Sequence, residues 1–255
     1  MQGLEVRHLS MSFGGIHAVR DVSFEVPAGS IFSIIGPNGA GKTTIFNLLT
    51  RVATPSGGEV LFDGTNLLGL RQNQIARRGI ARTFQNLELF QDATVVENVL
   101  AGRHINFSTS IWQEALGVAE TRKQEDANRA EADRIVDYLG LRRFRDTPIA
   151  YLPYGICKIV ELGRALAVKP RLLLLDEPAA GLNATETQRM AHWIRDINTS
   201  LNVTIVLIEH DMRLVEEVSH RVLAMESGRV LTVGEPQEVQ RHPEVIAAYL
   251  GGVIA

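Results

Sequence analysis

The chain has 255 residues, enough for one large domain or two modest ones around a buried core. A net charge of −3 lacks the basic excess of a nucleic-acid-binding surface, so no nucleic-acid partner is expected; the balance of 45% apolar and 22% charged residues is that of a soluble protein. Cys157 is the only cysteine, which excludes an intrachain disulfide and fits a reducing compartment.

The opening MQGLEVRHLSMSF lacks the basic-then-apolar pattern of a signal peptide, so export is not expected. Residues 4–13 and 22–26 alternate like antiparallel strands, followed by a turn at Pro27-Ala28-Gly29. Ser30 to Ile35 is a short apolar strand running into a glycine-rich loop, after which Ile45 to Leu49 reads as helix. Glu59 to Phe62 and Ile80 to Phe84 are strand-like. From about Val95 to Ala167 the pattern is helical, with mixed charges from Ala119 to Arg134 reading as a solvated face and Val160 to Leu166 as an amphipathic helix. Beyond Pro170 strands and helices alternate: Leu172 to Leu175 and Val203 to Ile208 as buried strands, Thr185 to Thr199 as a helix. Val222 to Met225 and Val230 to Val233 form a last pair turning at Gly228. The longest apolar runs, Leu172 to Leu175 and Ile246 to Ala255, fall short of the roughly 20 residues of a membrane helix, so a membrane role needs partners. An α/β core interrupted by a helical insertion follows.

Gly36-Pro37-Asn38-Gly39-Ala40-Gly41-Lys42-Thr43 matches G-x-x-x-x-G-K-[ST] between a strand and a helix, the context a phosphate loop requires. Its glycines let successive N–H groups turn toward one anion, Lys42 supplies a full charge, and the Thr43 hydroxyl suits Mg²⁺. Leu172 to Leu175 ends in Asp176-Glu177, which places two carboxylates where a buried strand emerges: Asp176 for Mg²⁺, Glu177 to polarise water as a general base. His210 follows the strand Val203 to Ile208 and is expected at the same edge, within reach of a γ-phosphate; the alternative is a structural histidine. Gln85, after the strand-like Ile80 to Phe84, is placed to reach Mg²⁺ or the attacking water; the alternative is a surface glutamine. Phe13 is an adenine-stacking aromatic or a core residue.

Together these residues resemble an ABC-transporter ATPase subunit over essentially the whole chain. The resemblance implies the ABC ATPase fold: a P-loop NTPase α/β core sheet, an N-terminal antiparallel β subdomain and an inserted α-helical subdomain. A single domain over residues 1–255 is expected, with 1–94 and 168–255 as core and 95–167 as the helical signature subdomain. By that pattern Phe13 stacks on adenine, Gly36 to Thr44 (Gly36, Pro37, Asn38, Gly39, Ala40, Gly41, Lys42, Thr43, Thr44) binds ATP, and Thr43, Gln85 and Asp176 hold Mg²⁺. Glu177, His210 and Gln85 serve catalysis. Leu152, Pro153, Tyr154, Gly155 and Ile156 form the signature that meets a partner's ATP, and Ala180, Gly181, Leu182 and Asn183 form the D-loop.

The strings Ala81-Arg82-Thr83-Phe84-Gln85, Asp176 to Asn183, Ile208-Glu209-His210-Asp211-Met212 and Pro243 to Gly251 are similar to the branched-chain amino acid importer branch, as is the insertion from about His104 to Arg134. The resemblance implies a head-to-tail pair with a second ABC ATPase subunit, a heterodimer in the complex, two transmembrane permease subunits and an extracytoplasmic solute-binding protein. It places the chain peripherally at the cytoplasmic face of the inner membrane. Relatives of this kind also carry urea, amides or aromatic acids. A non-transport ABC protein clamping a soluble partner is the alternative, and a single phosphate loop without a heptad run or basic tail weighs against it. In the signature, Pro153 stands where a serine is usual and has neither hydroxyl nor N–H to offer a phosphate. Cys157 and Ile159 also depart from the usual glutamine and arginine.

Overall fold

The computed structural model describes residues 3–103 and 119–251. The first part of the insertion expected from His104 lies outside them. The chain forms two compact units: residues up to Gln85 with those from Arg171 onward, and residues Asn86–Pro170. The helical unit therefore starts earlier than Val95 and ends later than Ala167, because the irregular segment after Gln85 packs with the helices.

The strands, all in the first unit, are β1 (Leu4–Phe13), β2 (Ile16–Val26), β3 (Ile31–Ile35), β4 (Gly57–Phe62), β5 (Thr65–Asn66), β6 (Ile80–Arg82), β7 (Leu172–Asp176), β8 (Thr204–Ile208), β9 (Arg221–Glu226) and β10 (Arg229–Gly234). Its helices are α1 (Lys42–Leu49), α2 (Gln72–Arg77), α6 (Ala184–Leu201), α7 (Met212–Val218), α8 (Pro236–Gln240) and α9 (Pro243–Gly251); the second unit holds α3 (Val95–Ala101), α4 (Ala119–Tyr138) and α5 (Tyr154–Leu166).

An antiparallel sheet in the order β2-β1-β4-β5 stands beside a six-stranded sheet in the order β10-β9-β3-β8-β7-β6. In the larger sheet β9, β3, β8, β7 and β6 run parallel, and β10 closes the edge antiparallel to β9. Every residue of β3, β7 and β8 is buried, as expected of strands covered on both faces, and their apolar runs carry no alternation. The main core fills the space between the two sheets around Phe32, Ile34, Phe46, Leu49 and Leu174. A smaller cluster of Ile35, Val215, Val222, Ala224, Val239 and Val245 covers the other face.

Register decides where the site can form. Ile34 of β3 pairs with Ile208 of β8, and Ile208 pairs with Asp176 of β7. Three neighbouring strands thus end at one level, delivering Gly36, Glu209 and Glu177 to the same sheet edge.

In the helical unit α5 begins at Tyr154, well ahead of the amphipathic stretch from Val160. Pro153 is its N-cap at φ −57°, already set for a helix start, and Ile156 and Cys157 donate to its carbonyl. Asn98 on α3 is fully buried and acts as a surrogate backbone. It accepts the Phe90 N–H and donates to the carbonyls of Phe90, Ala93 and Thr94, holding an otherwise irregular stretch. Asn98→Leu removes the acceptor of the Phe90 N–H and the side-chain donor to carbonyls that keep only the N–H groups of Ala93, Ile149 and residue 98; it should lower stability by about 1–2 kcal/mol, read by urea unfolding, with faster amide exchange at residues 90–94.

Candidate functional site

The phosphate loop leaves β3 at Gly36 and enters α1 at Lys42. Gly36, Gly39 and Gly41 take φ of 150°, 81° and 99°, which turns successive N–H groups inward. Gly36 and Gly41 are also hemmed in: a Cβ would lie 2.2 Å from the Met225 carbonyl oxygen at Gly36 and 2.3 Å from that of Ala18 at Gly41. The β9–β10 turn locks the loop from outside, with the Gly228 N–H donating to the Ala40 carbonyl at 3.0 Å and Arg20 N–H to the Gly228 carbonyl at 2.8 Å.

The loop borders a cleft of about 250 Å³, lined by Ala18, Asn38, Gly39, Ala40, Gly41, Lys42, Thr43, Thr44, Gln85 and Glu177. The Lys42 ammonium donates to the Gly36 carbonyl at 2.7 Å and the Pro37 carbonyl at 3.0 Å. Burial pushes its pKa below the usual lysine value, and the charges of Glu177 and Asp176 partly restore it. A buried cation among backbone donors is what a polyphosphate requires. Gln85 Nε2 donates to Glu177 Oε2 at 2.9 Å, so these two expected site residues meet at the cleft. Glu177 sits at φ 50°, a left-handed conformation rare for a residue with a Cβ, and its N–H donates to the Ile208 carbonyl at 2.9 Å.

Asp176 does not line the cleft. Its carboxylate Oδ2 accepts the Arg82 guanidinium at 2.7 Å, a pair in which both side chains are buried. Arg82 also donates to Asn47 Oδ1 at 2.7 Å, and its guanidinium lies 5.4 Å from the Phe46 ring centre and 5.1 Å from that of Phe84. The sequence reading gave Arg82 no role, yet a guanidinium in a buried strand needs a partner, and that signal was present. Mg²⁺ prefers oxygen donors and keeps waters, shared with phosphates rather than caged by protein. The Thr43 hydroxyl, Gln85 amide oxygen and Asp176 carboxylate suit such an ion. Among the described residues no cluster of three His, Cys, Asp or Glu side chains offers a cage.

Glu209 is the second residue the sequence reading left unassigned. It ends an apolar strand as Asp176 does, and its side chain is fully buried. Its carboxylate accepts N–H groups from Ala179 at 2.9 Å, His210 at 3.0 Å and Asp211 at 3.4 Å, joining the segment after Glu177 to the segment carrying His210. Burial holds its pKa above the usual carboxylate value, opposed by those three donors. His210 itself is largely exposed, with Nδ1 3.9 Å from Glu209 Oε2, and does not line the cleft. Phe13, half exposed at the end of β1, stays outside it too. Asn183 of the expected D-loop is the N-cap of α6: its Oδ1 accepts Thr185 and Glu186 N–H groups while Glu186 returns a bond to its own N–H. Leu152 to Ile156 lie at the start of α5 in the helical unit, with Pro153 and Tyr154 exposed.

Removing one member of the Arg82–Asp176 pair leaves a buried charge. Arg82→Leu should lower stability by roughly 3–5 kcal/mol in urea unfolding, and adding Asp176→Leu should recover much of that loss.

A family model described as ABC transporter matches residues 19–180, and one described as branched-chain amino acid ATP-binding cassette transporter matches residues 229–255. The chain is 40% identical over 248 residues to the high-affinity branched-chain amino acid transport ATP-binding protein BraF of Pseudomonas aeruginosa, covering 97% of each chain. It has the same identity and coverage with LivG of Escherichia coli strain K12. The structure matches a nucleotide-free ATP-binding cassette from an ABC transporter with a TM-score of 0.86 and 28% identity, covering 98% of this chain and 99% of that one. An ADP-bound cassette of an ABC transporter matches with a TM-score of 0.85 at the same identity and coverage. The fold and family expected from the motifs are borne out, and a clamp on a soluble partner is not favoured. The chain belongs to the ABC transporter family, as one of the ATP-binding subunits whose ATP hydrolysis drives transport.

Proposed function

We propose that the cleft binds ATP with Mg²⁺ and that its hydrolysis powers uptake of branched-chain amino acids, or a related small polar solute, through two membrane permease subunits and an extracytoplasmic solute-binding protein. The observation that carries the catalytic reading is the convergence of Lys42, Thr43, Gln85 and Glu177 on one cleft. The solute reading is supported by the names of the relatives and by the family model over residues 229–255.

In this reading the phosphate-loop N–H groups and Lys42 bind the β- and γ-phosphates, while Thr43, Gln85 and Asp176 would hold Mg²⁺, which would supply neutralising charge to the phosphates. Glu177 takes the proton from the attacking water, and Gln85 orients Glu177 through their hydrogen bond. His210 supports the γ-phosphate after its loop moves inward, carried with the Ala179 segment by Glu209. Phe13 offers an exposed aromatic face to adenine. The signature, Leu152 to Ile156, and the D-loop, Ala180 to Asn183, face the nucleotide of a second ABC ATPase in a head-to-tail heterodimer at the cytoplasmic face of the inner membrane. Among the described residues no helix is long and apolar enough to cross a membrane, which suits attachment through partners.

In the purified complex with its membrane subunits, ATP hydrolysis should rise on adding a branched-chain amino acid with its binding protein. Stimulation by urea or an amide instead would reassign the solute. In that complex Glu177→Gln should cut turnover roughly a hundred- to ten-thousand-fold while ATP still binds; equal turnover would remove Glu177 as the base. Pro153 caps α5 without a side-chain hydrogen bond. Pro153→Ser restores a hydroxyl there, so hydrolysis at the partner's site should rise or stay level, and the helix should gain about 1 kcal/mol. A large loss of turnover would show that the proline ring shapes the signature productively.

A further inference from the structure

Arg82 ends β6, beside β7, and its guanidinium bridges two further elements. Nη2 donates to Asp176 Oδ2 at 2.7 Å, at the end of β7. Nη1 donates to Asn47 Oδ1 of α1 at 2.7 Å and to Thr50 Oγ1, just beyond that helix, at 3.4 Å. Both charged side chains are almost wholly buried, 6% exposed for Arg82 and 2% for Asp176, so the pair is not a solvated surface bridge. The next residue, Thr83, accepts the Asp176 N–H on its hydroxyl at 3.3 Å. The end of β6 therefore holds Asp176 by its carboxylate and by its backbone.

Asn47 lies four residues after Thr43, one turn along the same face of α1. Thr43 and Asp176, two of the groups suited to Mg²⁺, come from elements remote in sequence, and the guanidinium is the rigid piece that joins them. It is planar, with nitrogens at a fixed spacing, whereas a lysine ammonium would supply the charge without the fork. Asp176 stands outside the cleft lining, and Mg²⁺ keeps waters in its shell. Where that carboxylate sits relative to Thr43 is then set by the groups that hold it from behind, as outer partners orient the ligands of metal sites in general.

We propose that Arg82 is a positioning residue for the Mg²⁺ site: by joining Asp176 to Asn47, it fixes the Asp176 carboxylate relative to Thr43 at the head of α1. The inference rests on the reading of the cleft as a site for ATP with Mg²⁺, and adds Arg82 and Asn47 to it. The buried ion pair then serves the metal site as well as the stability of the fold.

The test measures equilibrium binding of ATP to the 255-residue chain, with Mg²⁺ and with EDTA in its place, for the wild type, Arg82→Lys and Asn47→Ala. In the wild type Mg²⁺ should strengthen binding. Arg82→Lys should lose roughly tenfold of that gain while its affinity in EDTA stays level. Asn47→Ala keeps the Arg82–Asp176 bond and should shift the same way by a smaller factor. Asn47 is half-buried and alanine suits a helix, so this variant decides the matter if Arg82→Lys does not fold. A full Mg²⁺ gain in either variant would overturn the inference. So would an increased gain, which would make Arg82 a competitor of the ion. Equal weakening with and without Mg²⁺ would overturn it too, because a merely structural role weakens both. A wild-type chain whose ATP binding ignored Mg²⁺ would bring down the metal reading itself, and the inference with it.

Discussion

The phosphate loop can exist here only because backbone comes closer to backbone than any side chain would permit. Met225 presses on Gly36, Ala18 presses on Gly41, and the Gly228 turn closes over Ala40. These contacts draw on β2, β9 and β10, strands remote from the loop in sequence. The antiparallel sheet and the edge hairpin are therefore parts of the anion cradle, and the cradle in turn dictates where Lys42 can rest. Loosening any of the three walls would let the loop relax and scatter its N–H groups.

Charge in the first unit is arranged around that cradle in a graded way. Lys42 is the buried cation at the cleft, and Arg82 is a second one outside its lining, bound to Asp176 and close to two aromatic rings. Arg82 compensates the carboxylate from behind, so the buried charge of Asp176 is paired within hydrogen-bond distance. The segment beyond Asp176 then needs only Glu177 to carry charge into the cleft, where Gln85 meets it.

What a sequence shows of such a site depends on whether its parts are strings or meetings. The phosphate loop and Asp176-Glu177 are strings, each tied to a neighbouring strand, and their chemistry is legible from residue types and flanks alone. So are the buried strands β3, β7 and β8, whose apolar runs leave little choice. Arg82 and Glu209 are meetings: each acts on a group brought near by folding, across 94 residues for Arg82 and Asp176 and 30 for Glu209 and Ala179. Short helices such as α2 and α7 are too brief to show a helical period. The early start of α5 is a local fact of proline geometry that an amphipathic pattern does not report. His210 and Phe13 show the opposite limit. Their positions along the chain are recognisable, but the cleft as it stands is lined without them.

The tie made by Glu209 has a consequence for variation. The hydrogen bonds its carboxylate accepts all come from main-chain N–H groups, at positions 179, 210 and 211. Side chains at those positions are therefore interchangeable as far as the tie is concerned, with a single exception. Proline brings no N–H, so introducing it at 179 or 211 would remove a strand of the knot while leaving the approach of His210 to Glu209 in place. The geometry linking the two loops is encoded at one position and tolerated at the others.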